Sequence, residues 1–162
     1  MIMNKARLFI LLSGLCCWSG YARGEIVSDC TIVNLARLEG SMNPQLVLAV
    51  AKIESSKNGK ARNGIHYGLM QLKLDTARML GFRGKPNELL NWKLNLRYGS
   101  KYLNEKLRRY RSKSAALAAY NAGAAFPCKK THTGCLVGSF INQNYVDIVM
   151  RQYRKNPSSQ CV

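Results

Sequence analysis

Acidic residues are scarce in this sequence. Eight Asp and Glu face 25 Lys and Arg over 162 residues, a net charge of +17. That balance points to an anionic partner, such as cell wall, anionic lipid or nucleic acid, and says nothing about fold. No nucleic-acid motif and no aromatic stacking platform accompanies the charge, so no specific nucleic-acid partner is expected. The densest basic stretch, Lys106, Arg108, Arg109, Arg111 and Lys113, reads as a solvated helix face. Internal repeats and low-complexity segments are absent, and beyond the N-terminus no apolar run is long enough to span a bilayer. The 47% hydrophobic content excludes a disordered chain and supplies one core. At this length one domain is expected.

The N-terminus has the layout of an export signal. Lys5 and Arg7 precede the apolar run from Leu8 to Trp18, and the small residues Gly20, Ala22 and Gly24 follow. Residues 1–24 are therefore assigned to a signal peptide cleaved after Ala22 or Gly24, with a periplasmic domain over residues 25–162. A membrane anchor is the alternative, but the run is too short for ~30 Å of hydrocarbon and is interrupted by Ser13 and Gly14. A lipoprotein signal fits worse, since Leu15 and Cys16 are poor substitutes for the small residue before a lipidated cysteine. Cleavage removes Lys5, Arg7 and Arg23, lowering the +17 by three to +14.

Cleavage also removes Cys16 and Cys17, leaving Cys30, Cys128, Cys135 and Cys161. An even number in an exported chain suggests two disulfides, with three possible connectivities. Cys128 with Cys135, closing a short loop, is favoured, leaving Cys30 with Cys161. Zinc held by Cys128, His132, Cys135 and Cys161 is the other reading, against which an oxidising compartment competes.

The remainder reads as mainly helical. Residues 29–39 form a short amphipathic helix with Ile32, Leu35, Ala36 and Leu38 apolar. Asn43 caps a second helix with Pro44 at its first position. From Leu46 to Ile53 only Lys52 is polar, the pattern of a buried central helix. Residues 57–64 are a loop, and a helix over about 73–80 stops at Gly81. A connector over 84–92 contains one helical turn. Leu96, Gly99, Leu103, Leu107 and Tyr110 mark one face of a long helix over about 94–111. Ser114 is expected to cap a small-residue helix, Ala115 to Asn121, ended by Gly123. A loop over 124–141 precedes a last helix, about 144–155, burying Tyr145, Ile148, Val149 and Tyr153.

Glu54 ends the buried helix. Burial and the negative end of the helix dipole both raise a carboxyl pKa there, as a general acid requires. Periodicity by itself favours an ordinary solvated glutamate beyond a core helix. Its neighbours add specificity. Glu54-Ser55 is followed by Gly68-Leu69-Met70-Gln71 and then by Ala119-Tyr120-Asn121-Ala122-Gly123. With these three ordered motifs the sequence resembles the soluble lytic transglycosylases of lysozyme-like fold. Thr76-Ala77-Arg78, Asn95-Leu96-Arg97-Tyr98-Gly99 and Tyr145-Val146 extend the resemblance over about residues 30–155.

The resemblance implies a mainly α, lysozyme-like single domain with little or no β structure, stabilised by disulfides. It implies Glu54 as the catalytic acid/base of a peptidoglycan lytic transglycosylase that needs no metal or cofactor. Ser55 would hold the local turn, and Gly68 would permit close backbone approach. Leu69 and Met70 would wall the cleft, and Gln71 would bond the sugar or its acetamide. Tyr120 and Asn121 would form the opposite wall, and Tyr145 would point toward the acid. The sequence departs from the family in the segment Arg62 to Tyr67, where a serine and then Gly-Ala are usual. Asn63 is the candidate to replace the serine at the substrate acetamide. His66, close by, reads as structural or exposed rather than catalytic.

Most glycosidases use two carboxylates. No second acid lies within the three motifs, and Asp75 reads as a charge on the next helix dipole. One acid suits cleavage of the MurNAc–GlcNAc β-1,4 bond with closure of a 1,6-anhydro ring. A hydrolytic muramidase of goose type and a non-catalytic wall binder are the competing readings. The partner expected is the peptidoglycan glycan strand. The small size resembles that of specialised members serving secretion, conjugation or pilus machines.

Overall fold

A computed structural model describes residues 25–128, 138–156 and 161. The expected signal peptide lies outside the described residues, as do His132 and Cys135. The order is α1 (Asp29–Leu38), α2 (Pro44–Ser55), β1 (Arg62–Asn63), β2 (His66–Tyr67), β3 (Leu72–Lys73), α3 (Leu74–Met79), a 3-10 turn (Pro86–Leu90), α4 (Trp92–Tyr110), α5 (Lys113–Ala122) and α6 (Gln143–Arg154). The mainly α, lysozyme-like single domain expected from the sequence is what the chain adopts. Its β component is one small antiparallel sheet, ordered β1-β2-β3.

Helix α2 is the axis of the core. Leu46 through Ala51 are all buried, so no face of that stretch meets water. The Asn43 side chain accepts from the Leu46 amide at 3.1 Å, and Pro44 occupies the first turn, where no intrahelical donor is lost. Helices α1, α4 and α6 pack around α2, and α5 packs on α4 and α6. Fully burying each Leu or Val of such a helix contributes about 1.5–3 kcal/mol.

Four helix details differ from the sequence expectation. Leu38 is 84% exposed, because it leaves α1 on the side opposite the buried Ile32, Val33 and Ala36. Ile148 is exposed, and Val146 rather than Tyr145 or Tyr153 joins Val149 as fully buried in α6. Ser112, not Ser114, caps α5, accepting from the Ala115 amide at 3.4 Å. Helix α4 starts two residues early because Asn91 accepts from the amides of Lys93 and Leu94.

Cys30 and Cys161 form a disulfide that ties the start of α1 to the C-terminal end, with Cα atoms 5.0 Å apart. Cys161 therefore has no thiolate to offer zinc, which removes the four-ligand zinc reading. Cys128 is also disulfide-bonded.

Candidate active site

The last turn of α2 delivers Glu54 to a cleft of about 250 Å3, shared with the sheet, α3, α4 and α5. Ser55, the next residue, fixes that delivery. Its hydroxyl donates to Leu69 O at 2.7 Å and back to Ala51 O at 3.2 Å. The end of α2 is thereby tied to the Gly68–Gln71 segment.

That segment is built on backbone contacts. Gly68 has φ +71, and a Cβ there would lie 2.6 Å from the Asn95 amide and closer still to Leu89 O. Only glycine fits both the conformation and the space. Gln71 adopts φ +47, and its side-chain NH2 donates to Gly68 O at 2.8 Å and Ala61 O at 3.3 Å. The amide nitrogen of Gln71 thus holds the turn, leaving its Oε1 for a ligand. Met70 is fully buried and packs against Gly99, whose missing side chain admits it. It lies beneath the cleft, as do Gly68 and Leu69, and is not among the lining residues.

Asn95 organises this floor from α4. Fully buried, it accepts from the Met70 amide at 2.7 Å and donates to Tyr67 O at 2.7 Å and Leu89 O at 3.0 Å. All the bonding capacity of its NH2 is used, so no donor is left buried and unpaired.

Two tyrosines approach from the helical side. Tyr145 of α6 donates to Glu54 Oε1 at 2.7 Å. Tyr120 of α5 donates to Met70 O at 2.8 Å and presents its ring to the cleft. Tyr102 packs on that ring at a tilt, centroids 5.1 Å apart, with the Lys106 ammonium 4.5 Å from the Tyr102 centroid on α4. Asn121 lines the cleft, its Oδ1 held by Asn142 at 2.9 Å.

The electrostatics follow from burial. Desolvation raises the Glu54 carboxyl above its ordinary value, and the Tyr145 hydrogen bond opposes that only in part. Burial, then the nearby Glu54 charge, holds the Tyr120 and Tyr145 phenols well above the ordinary tyrosine value. Both phenols therefore stay protonated and donate near neutral pH.

Glu54, Gln71, Tyr120 and Asn121 meet in the cleft, with Tyr145 on the acid. Asn63 does not join them. It is exposed on β1, the sheet's outer strand, and offers only its backbone oxygen to His66 Nδ1 at 3.3 Å. His66, Lys73, Thr76 and Tyr102 line the cleft without having been assigned a role from sequence. Thr76 sits inside a quoted motif, which was a usable signal. Lys73 and Tyr102 carry no signal before the sheet and α4 are placed. Among the described residues lining the cleft, Glu54 alone carries a carboxylate.

A helical domain that seats one partly buried carboxyl between a small sheet and a helical wall is a lysozyme-like domain. This chain belongs to the transglycosylase SLT domain family, whose profile matches residues 32–133, more than half its length. An inactive mutant of the lytic transglycosylase Slt from Pseudomonas aeruginosa matches with 29% identity and a TM-score of 0.52, over 62% of this chain and 17% of that protein. The 70 kDa soluble lytic transglycosylase of Escherichia coli shares the fold at 21% identity and a TM-score of 0.52, over 75% of this chain and 18% of its own. A complex of the 70-kDa soluble lytic transglycosylase with bulgecin A has a TM-score of 0.50 at 21% identity, over 76% of this chain and 19% of that one. The chain thus spans less than a fifth of the length of these proteins.

Proposed function

We propose that this chain is a peptidoglycan lytic transglycosylase in which Glu54 is both acid and base. The observation that carries the reading is a single raised-pKa carboxyl, hydrogen-bonded by Tyr145, in a cleft whose described lining holds no second carboxylate. Protonated Glu54 gives its proton to the glycosidic oxygen as the bond from the MurNAc anomeric carbon breaks. The substrate's own acetamide stabilises the positive carbon, as in substrate-assisted glycosidases. Glu54, now a carboxylate with Tyr145 donating to it, takes the proton of the MurNAc C6 hydroxyl. That oxygen bonds the anomeric carbon and closes a 1,6-anhydro ring, so no water is consumed. Asn121 and the free Oε1 of Gln71 supply the polar groups, and the Tyr120 ring the flat surface, against which the sugar is oriented.

Mass spectrometry of soluble fragments released from purified peptidoglycan tests this. Anhydro-ended fragments, one water lighter than reducing-ended ones, from wild type and not from Glu54→Gln are expected. Reducing ends would make the chain a hydrolase. No fragments from folded protein would leave a wall-binding role.

The pattern from Lys5 to Gly24 supports export to the periplasm. Resemblance to the small specialised transglycosylases supports local wall opening for a secretion, conjugation or pilus machine. Finding the protein in the cytoplasmic fraction overturns the first. A deletion strain that assembles every envelope-spanning apparatus normally overturns the second.

A further inference from the structure

One wall of the cleft carries two basic side chains that the reaction does not use. His66 and Lys73 are direct register partners in β2 and β3, so their side chains leave the same face of the sheet. Both line the cleft that holds Glu54. His66 Nδ1 is committed as a donor to Asn63 O at 3.3 Å, and Nε2 has no partner among the described residues. Lys73 is exposed and has no ion-pair partner among the described residues.

The ion pairs among the described residues all lie elsewhere. Asp29 is held by Lys52 and Lys57, Glu39 by Arg97, and Glu105 by Lys106. The Lys73 ammonium and the His66 ring face each other across the sheet with no carboxylate paired to either among the described residues, and a bound anion supplies one. With an anion between them, Lys73 contributes one charge-assisted hydrogen bond and His66 a second through its Nε2–H. The sugar hydroxyls and acetamides of the glycan give such a pair nothing to bind. The charge on peptidoglycan is carboxylate, carried on the MurNAc lactyl group where the peptide has been removed and on the stem peptide where it has not. Both positions also fall outside the Gly68–Gln71 and Ala119–Gly123 motifs, where the shared chemistry resides.

Resting on the function proposed above, we infer that His66 and Lys73 form a carboxylate-binding subsite that makes this chain select anionic glycan strands. The selection acts on binding and leaves the proton transfers at Glu54 as described.

The test is equilibrium binding to Glu54→Gln protein, which holds the glycan without cleaving it. Four soluble preparations serve as probes: peptide-free strands, the same strands methyl-esterified, peptide-bearing strands, and the same with their carboxylates amidated. At low salt, one anionic form binds about 3- to 10-fold tighter than its neutralised counterpart, the range that two exposed charge pairs supply. That ratio falls when Lys73→Gln or His66→Gln is added singly and reaches about one when both are, with circular dichroism showing the variants folded, and Lys73→Arg keeps it. Preference within the peptide-free pair assigns the lactyl carboxylate, and preference confined to the peptide-bearing pair assigns the stem. A ratio that persists in both variants belongs to the net charge of the chain and overturns the subsite. Equal binding of charged and neutralised strands overturns the subsite while leaving glycan recognition standing. No binding of any strand removes the functional reading, and the subsite with it.

Discussion

Tyr145 Oη donates to Glu54 Oε1 at 2.7 Å, joining α6 to the last turn of α2 across 91 residues of sequence. The bond ties two opposed effects together. Burial pushes the carboxyl up, and the phenol, itself held protonated by burial, pulls it part of the way back. The acid is thus poised between the two environments that a group acting first as acid and then as base requires.

Tyr145→Phe removes the pull and keeps the packing. The Glu54 pKa should rise further, so the alkaline limb of the kcat–pH profile, where Glu54 loses its proton, moves to higher pH. The loss of orientation should lower kcat by up to about 10²-fold. A pH–rate series on wild type and variant checks both. An alkaline limb that stays in place or moves down contradicts the coupling.

Glu54→Gln should lower turnover by about 10²- to 10⁴-fold while raising the thermal midpoint near neutral pH. The sign follows from linkage. A carboxyl whose folded pKa lies above its unfolded value contributes stability that is full below the unfolded pKa and is lost as pH rises through the folded pKa. Near neutrality wild type therefore carries a buried-charge cost that glutamine lacks, and the gap should close on acidification. Melting curves near pH 4 and pH 7 decide it. A variant less stable than wild type near neutrality would show that the carboxylate is compensated by something besides Tyr145.

The helices were legible because their causes are local. Asn43 and Pro44 announce the start of α2, and the unbroken apolar stretch from Leu46 announces its burial. Glu54, Gln71, Tyr120 and Asn121 were legible because they sit inside short motifs. Asn63 misled because the hairpin sets which side chain reaches the cleft, and a pairing of two residues leaves almost no periodicity to read. His66 and Lys73 were hidden for the same reason, since their juxtaposition exists only once β2 and β3 are in register. Leu38 and Ile148 met solvent because each lies off the stripe its helix buries, Ile32, Val33 and Ala36 in α1 and Val146, Val149, Met150 and Tyr153 in α6.

Asn95 shows how a polar residue on an apolar stripe carries information of its own. Asn95→Leu keeps the branched outline of the side chain and improves helix propensity but strips partners from the Met70 amide, Tyr67 O and Leu89 O. Each buried group left unpaired costs about 1–3 kcal/mol, so a loss of roughly 3–5 kcal/mol is expected. Urea denaturation measures it. A loss under about 1 kcal/mol would mean that water or relaxation replaces all three bonds.

Asp29 makes the acid stability of the fold predictable. Burial pulls its carboxyl up, but hydrogen bonds and charge from Lys52 and Lys57, each at 2.6 Å, outweigh burial and hold it below the ordinary aspartate value. A depressed folded pKa gives stability that is present above the unfolded pKa and is lost as pH falls through the folded one. Asp29→Asn should therefore cost stability near neutral pH and cost progressively less as the medium is acidified below the ordinary aspartate range. The site is partly exposed, so solvent screening limits the neutral-pH cost to about 0.5–1 kcal/mol. Denaturation of wild type and variant near pH 7 and near pH 2.5, at low and at high salt, checks the sign. A deficit that grows on acidification would show that Asp29 serves α1 by capping or packing rather than by its charge. A deficit that shrinks with both acid and salt assigns it to the two lysines.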